Sequence, residues 1–179
     1  MTPVALIRRA EPGDAAGICA IYNAALSERS STFETEPRSV ADFKARIDEP
    51  RFPLLVSSGG EEVLGWAGLA PYSPRECYAG IGECSVYVAA AARGQGIGTE
   101  LTRTLAVLAR KNGFHKMIGK LFVDNTASVR LIERCGFQRV GVHRRHGKLD
   151  GAWLDVLVVE LLLSGSDRQN GAPGRALEM

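Results

Sequence analysis

The chain has 179 residues, 45% of them hydrophobic and 23% charged, which is the profile of a globular domain with a sizeable core and excludes a disordered or fibrous chain. Its 22 Lys and Arg against 20 Asp and Glu give a formal net charge of +2 with no basic stripe, so no nucleic-acid partner is expected. No run of about 18 apolar residues spans a bilayer, and Arg8 and Arg9 follow the first apolar residues instead of preceding them, so the expectation is a cytosolic protein without a membrane partner.

A short strand around Leu6 to Arg8 precedes a helix opened at Asp14, with its apolar stripe at Ala15, Ile18, Ile21, Tyr22 and Ala25. The loop Ser30 to Pro37 follows, and Ser39-Val40-Ala41-Asp42 reads as a capping box opening a second helix that Pro50 and Pro53 stop. Leu54 to Ser57 and Val63 to Leu69 form a hairpin around Gly59-Gly60, an irregular stretch runs from Pro71 to Gly80, and Glu83 to Val88 is a strand. A glycine-rich turn then opens a long helix with its stripe at Ile97, Leu101, Leu105 and Leu108. Met117 to Val123 is a strand, Ala127 to Cys135 a helix capped by Gly136, and Phe137 to His143 and Trp153 to Leu162 are closing strands. Together these predict a single α/β domain over residues 1–163, a mixed central sheet flanked by helices, with a disordered tail at 164–179.

The cysteines (Cys19, Cys77, Cys84, Cys135) form no CxxC pair and the histidines (His115, His143, His146) no metal-ligand spacing, so reduced thiols and no metal are expected. The turn Arg93-Gly94-Gln95-Gly96-Ile97-Gly98-Thr99 places unpaired amides at a helix N-terminus, where helix dipole and donors together suit a phosphate. Glycines at 94, 96 and 98 remove the side chains that would hold a pyrophosphate off the backbone, and Arg93 adds positive charge at the rim. The other reading is a tight turn that merely needs glycine. There is no GxxxxGK(S/T), and no GxGxxG followed by an acidic residue about twenty positions on, which excludes a kinase-type P-loop and a Rossmann dehydrogenase.

The pattern R/Q-x-x-G-x-G after a strand ending Val86-Tyr87-Val88, followed downstream by Asn125 and Cys135-Gly136-Phe137, resembles the GNAT superfamily of acetyl-CoA-dependent N-acetyltransferases. The resemblance runs from Ile7 to Leu162. Thr32-Phe33-Glu34-Thr35-Glu36-Pro37, Pro71 with Arg75 and Tyr78, Glu83 to Val88 and Gly151 to Val156 resemble its phosphinothricin acetyltransferase branch, and His143 to Gly151 its arsinothricin-resistance group.

The resemblance implies a GNAT fold, acetyl-CoA as co-substrate and a small amino-acid-like acceptor. The reaction needs a deprotonated amine, a polarised thioester carbonyl and an outlet for the thiolate. Glu83 matches the general base, acting directly or through water; an isolated strand Glu is otherwise a solvated charge. The backbone of Val86, Tyr87 and Val88 matches the hold on the pantetheine arm and thioester oxygen. Asn125 and Ser128 match contacts to the same arm, and Asn125 equally suits an N-cap. Phe33, Arg75, Tyr78 and Ser85 match the acceptor site, where Arg75 suits one of two anionic groups; outside that context it is an ordinary loop arginine.

Three departures stand out. Ile132 occupies the place of a proton-donating Tyr or His, which leaves water, Tyr87 or unaided departure for the thiolate. Ser73 stands where the branch has a lysine, and Lys120 stands where it has an apolar residue, either restoring a positive charge or lying solvated. His143 and His146, in a basic stretch with Arg144, Arg145 and Lys148, read as a solvated loop or a partner contact in preference to catalysis. A Cys84 nucleophile lacks an activating base.

The function expected is acetylation of the α-amine of a glutamate-like toxin such as phosphinothricin or arsinothricin, with methionine sulfone and sulfoximine as related acceptors, conferring resistance. The family implies a homodimer with the C-terminal strands and the Phe33 loop near its interface. An acetyltransferase for a protein N-terminus or another amine, and a non-catalytic acyl-CoA-binding sensor, are the alternatives.

Overall fold

The structure, a computed structural model, describes residues 6–163, so the tail expected at 164–179 lies outside the described residues. Along the chain run β1 (Leu6–Arg9), α1 (Ala15–Ser27), α2 (Val40–Ile47), β2 (Leu54–Gly59), β3 (Glu62–Pro71), β4 (Ile81–Val88), α3 (Ile97–Lys111), β5 (Lys116–Phe122), α4 (Thr126–Arg134), β6 (Gln138–Leu149) and β7 (Ala152–Leu162). The capping box of α2 forms as its residues predict: the Asp42 amide donates to Ser39 Oγ at 3.3 Å and the Ser39 amide to the Asp42 carboxylate at 2.8 Å. Among the described residues no helix is long and apolar enough to cross a membrane.

The strands make one seven-stranded sheet in the order β1-β2-β3-β4-β5-β7-β6, antiparallel except for β4 beside β5. Alternation along the central strands sorts the residues between two faces. Trp66, Gly68 and Ala70 pair with Tyr87, Ser85 and Glu83 on one face, and Ala67 and Leu69 pair with Val86 and Cys84 on the other. The second face packs on α3 and α4 through fully buried residues such as Leu101, Leu105 and Met117. Each such side chain contributes about 1.5–3 kcal/mol relative to exposure. The first face is covered by α1 and α2 around Ile18, Tyr22, Phe43 and Trp66. Because α1 and α2 cover only part of it, the polar Glu83 and Ser85 are left lining a hollow.

The segment His143 to Lys148, expected as a solvated loop, is instead strand. β6 continues to Leu149 and turns into β7 through Asp150 and Gly151, whose φ angles of 49° and 84° suit a two-residue hairpin turn. The regular pairing is broken by a bulge: His143 faces Val156 and Gly147 faces Leu154, with Arg145 at φ 49° donating its amide to Asp155 Oδ1 at 2.7 Å.

At the other end of the sheet, Arg8 Nη1 reaches Asp14 Oδ2 at 2.7 Å. That hydrogen-bonded guanidinium holds the buried Asp14 carboxyl below its ordinary value, against burial, with the Glu11 amide helping. A depressed folded value means stability fully present above the unfolded value of about 3.9 and lost as pH falls through the folded one. Thermal melts from pH 7 to pH 2 should therefore show the native protein above Asp14→Asn at neutral pH and the two curves converging below about pH 4. A gap that stays constant with pH would refute the linkage.

Candidate active site

β4 and β5 pair only at Ile81–Lys116, Gly82–Met117 and Glu83–Ile118; beyond that point the two strands splay apart. From Cys84 to Val88 the edge of β4 that faces β5 has no strand partner, while its other edge stays paired with β3 as far as Val88. A buried N–H or C=O without a partner costs about 1–3 kcal/mol, so such an edge suits a polar chain laid into the fork. Glu83 is the last β4 residue paired before the strands part.

One side of the fork opens into a cleft of about 430 Å³ between the starts of α3 and α4. Val86, Tyr87, Val88, Arg93, Gly94, Gly96, Ile97, Gly98, Thr99, Asn125 and Ser128 line it. Gln95 does not: its amide turns back toward the Ala91 carbonyl at 3.4 Å. Gly94 and Gly96 sit at φ 77° and 84°, the left-handed region that costs side-chain-bearing residues about 1–2 kcal/mol, and a Cβ at either would meet no atom within 4 Å. The turn is therefore glycine for its backbone and leaves the helix start bare.

At the rim Arg93 is paired with Glu28 at 2.8 Å. Two further cations line the same cleft, Arg130 and Arg134, one turn apart on α4. Their i, i+4 spacing was the available signal. Asn125 acts as the cap of α4: its Oδ1 accepts from the Ser128 amide at 3.1 Å and its Nδ2 donates to the Ser30 carbonyl at 3.0 Å. Ser31 Oγ, buried with no hydrogen-bond partner, lies where this cleft, the fork and the next hollow meet.

That hollow, about 500 Å³, lies on the face covered by α1 and α2. Phe33, Ser85 and Lys120 line it together with Glu83, whose carboxylate lies 2.8 Å from Lys120 Nζ. Lys120 thus borders the same hollow as Glu83. Arg75 and Tyr78 are elsewhere, in an adjoining hollow of about 420 Å³ with Ser73 and His143. Lys120 and His146 border both spaces, so the expected acceptor residues divide between two adjoining compartments.

Residues that sequence reasoning passed over complete the larger compartment. Tyr22 Oη donates to Glu34 at 2.7 Å, and Arg38 holds both oxygens of the same carboxylate, at 2.6 and 2.9 Å. These bonds tie the Phe33 loop to α1. The Phe33 ring meets Phe122 edge-on at 4.7 Å, and a Cβ on Gly147 would stand 2.8 Å from the same ring, so the β6 bulge is packed tightly against it. Tyr87 stacks on Trp66 at 4.8 Å.

Burial pushes the Tyr87 hydroxyl well above its ordinary range, so it holds its proton. It pushes the Cys84 thiol up to about 12, which leaves no reactive thiolate beside Glu83. Ile132, 2% exposed, lines the fork with hydrocarbon.

The sequence pattern of the acetyltransferase (GNAT) family matches residues 18–137. The chain belongs to the GNAT acetyltransferases. Among relatives, it is 36% identical over 163 residues to an L-methionine sulfoximine/L-methionine sulfone acetyltransferase of Pseudomonas aeruginosa, covering 89% of this chain and 95% of that one. In structure it is similar to a GNAT phosphinothricin acetyltransferase of Sinorhizobium meliloti in complex with AcCoA, with a TM-score of 0.85 and 28% identity over 97% of this chain and 95% of the other. A ribosomal-protein-alanine N-acetyltransferase of Brucella melitensis is similar too, at a TM-score of 0.84 and 32% identity over 88% and 99%.

GNAT acetyltransferases use acetyl-CoA, and the chain presents what that molecule needs. The bare α3 start and the cations of α4 suit its phosphates, the open edge of β4 suits its amide-bearing arm, and the fork leads to Glu83.

Proposed function

We propose that the protein transfers the acetyl group of acetyl-CoA to the α-amine of a small glutamate-like amino acid, of the phosphinothricin, arsinothricin or methionine sulfoximine kind, and so confers resistance to it. The observation that carries this is the place of Glu83, at the apex of the fork between the co-substrate cleft and a hollow bordered by cations. Acetyl-CoA supplies an acyl group already activated as a thioester.

Glu83 takes the proton of the incoming ammonium and frees its lone pair; Lys120, displaced by that ammonium, turns toward the acceptor's anionic part. The Val86 to Val88 amides orient the thioester. The new bond is N–C and the broken one C–S; after attack the nitrogen's second proton passes through water to the departing sulfur, since Ile132 carries none and burial makes the Tyr87 hydroxyl a weaker acid than the thiol. Arg75 and Tyr78 take one acidic group of the acceptor from the adjoining compartment.

The tethered Phe33 loop encloses the hollow, which favours a small acceptor over a peptide N-terminus. In this reading residues 1–163 act as one domain, in the cytosol, and as a homodimer. The exposed Val140, Val142, Trp153 and Leu162 of the C-terminal strands suit such an interface.

Thiol release from acetyl-CoA, followed with phosphinothricin, arsinothricin, methionine sulfone, methionine sulfoximine, an alanyl peptide and spermidine, tests the proposal. Turnover confined to the amino acids is expected. Turnover with the peptide alone would favour N-terminal acetylation, and acetyl-CoA binding without turnover would favour a sensor.

A further inference from the structure

Of the cations around the acceptor hollow, Lys120 has Glu83 and Arg38 has Glu34, but Arg46 of α2 has no carboxylate partner among the described residues. Its guanidinium lies over the Trp66 ring, 5.6 Å from the centroid, and gives one N–H to the Leu69 carbonyl at 3.1 Å. Phe43 and Trp66 beside it are 2% and 1% exposed. Burial, and then the neighbouring Arg38, both work against its charge. A cation drawn out of water without a counter-charge is unfavourable, and a bound anion relieves that.

One close neighbour of this guanidinium is a glycine. Gly68 stands directly under it, where a Cβ would come within 2.9 Å of Nη2. Gly68 pairs with Ser85, and two residues further along β3 Ala70 pairs with Glu83, all on the same face. The diagonal from Gly68 to Glu83 across the strand pair spans about 7–8 Å. An amine and an acidic group joined by four single bonds of about 1.5 Å are about 5 Å apart when extended. A glutamate-shaped molecule with its amine at Glu83 therefore brings its far end within hydrogen-bond reach of Arg46.

We propose that Arg46 is a specificity-determining residue, the receptor for the acidic group at the acceptor's distal end, whether phosphinate, arsinate or carboxylate. The guanidinium fork takes two oxygens of that group. Arg75 is left for the α-carboxylate. This assignment rests on the small-amino-acid reading above and divides the two acidic groups between the two compartments.

The test compares Arg46→Gln and Arg46→Lys with the native protein on phosphinothricin, whose distal group is anionic, and methionine sulfone, whose distal group is neutral. Arg46→Gln should raise KM for phosphinothricin about tenfold or more, with kcat, KM for methionine sulfone and KM for acetyl-CoA within about threefold. Arg46→Lys, which keeps the charge and loses the fork, should recover part of that loss. An equal rise in both acceptors' KM values, or no rise in either, overturns the assignment. If the native protein turns over neither acceptor, the acetylation reading fails. Calorimetry then decides this one separately: phosphinothricin binding to the native protein that Arg46→Gln abolishes supports it, and binding that is absent or unaltered overturns it.

Discussion

Glu83→Gln should lower kcat for every accepted amine by about 10²- to 10⁴-fold, the range over which a positioned general base accelerates a proton transfer. The amide is nearly isosteric and cannot take the ammonium proton, so the hollow keeps its shape while losing its base. KM for acetyl-CoA should hold within about threefold, because the open edge of β4 lies beyond Glu83 and is unaffected by its side chain. Lys120, 2.8 Å away, loses its counter-charge in this variant, yet both groups are partly exposed, at 42% and 32% of their side-chain surface, so little stability should go with it. Thiol release across pH 6 to 9 checks this. A Glu83→Gln enzyme retaining a third of native kcat would remove the base from Glu83 and assign the proton to water.

The second large effect falls on stability. Trp66 is 1% exposed and touches Tyr87, Phe43, Tyr22 and Arg46, so it belongs both to the core under α1 and α2 and to the lining of the hollow beside Glu83. Trp66→Ala should cost about 3–5 kcal/mol, the price of a cavity at a site that cannot collapse. At about 2–4 °C per kcal/mol for a domain of this size, the midpoint should drop by roughly 6–20 °C. Trp66→Phe should cost far less, because the indole N–H is buried with no hydrogen-bond partner and removing it offsets part of the lost volume. Urea melts of the two variants decide it. Equal losses would mean the indole N–H has a partner in solution.

Glu83 to Val88 was legible as a strand, but the sorting of Glu83, Ser85 and Tyr87 from Cys84, Val86 and Val88 follows from the helix layers packed on the two faces. The glycine turn was readable because two of its positions demand a left-handed backbone. The extension of β6 was not. Its residues are polar on both sides because the strand is exposed, and a bulge breaks the period, so periodicity carried no signal there. Only Asp150-Gly151 announced the hairpin.

Tyr22 and Arg46 were missed for a related reason. On a helix, Tyr22 falls in the apolar stripe and Arg46 on an apparently solvated side; their meeting over Trp66 depends on how two helices rest on a sheet, which no local pattern encodes. The division of the acceptor residues between two compartments is likewise a matter of long-range geometry.

The loop that carries Phe33 is fastened to sites scattered over the whole chain: Ser30 to Asn125, Phe33 to Phe122 and Gly147, Glu34 to Tyr22 and Arg38. Its shape is thus a property of the assembled protein and not of its own sequence. Transplanting those few residues into a related enzyme would not transfer substrate preference with them. An engineer wishing to redirect this scaffold would have to exchange the loop, the cap of α4 and the β6 bulge as one unit, and drift at any one of the three during evolution would retune the pocket from a distance.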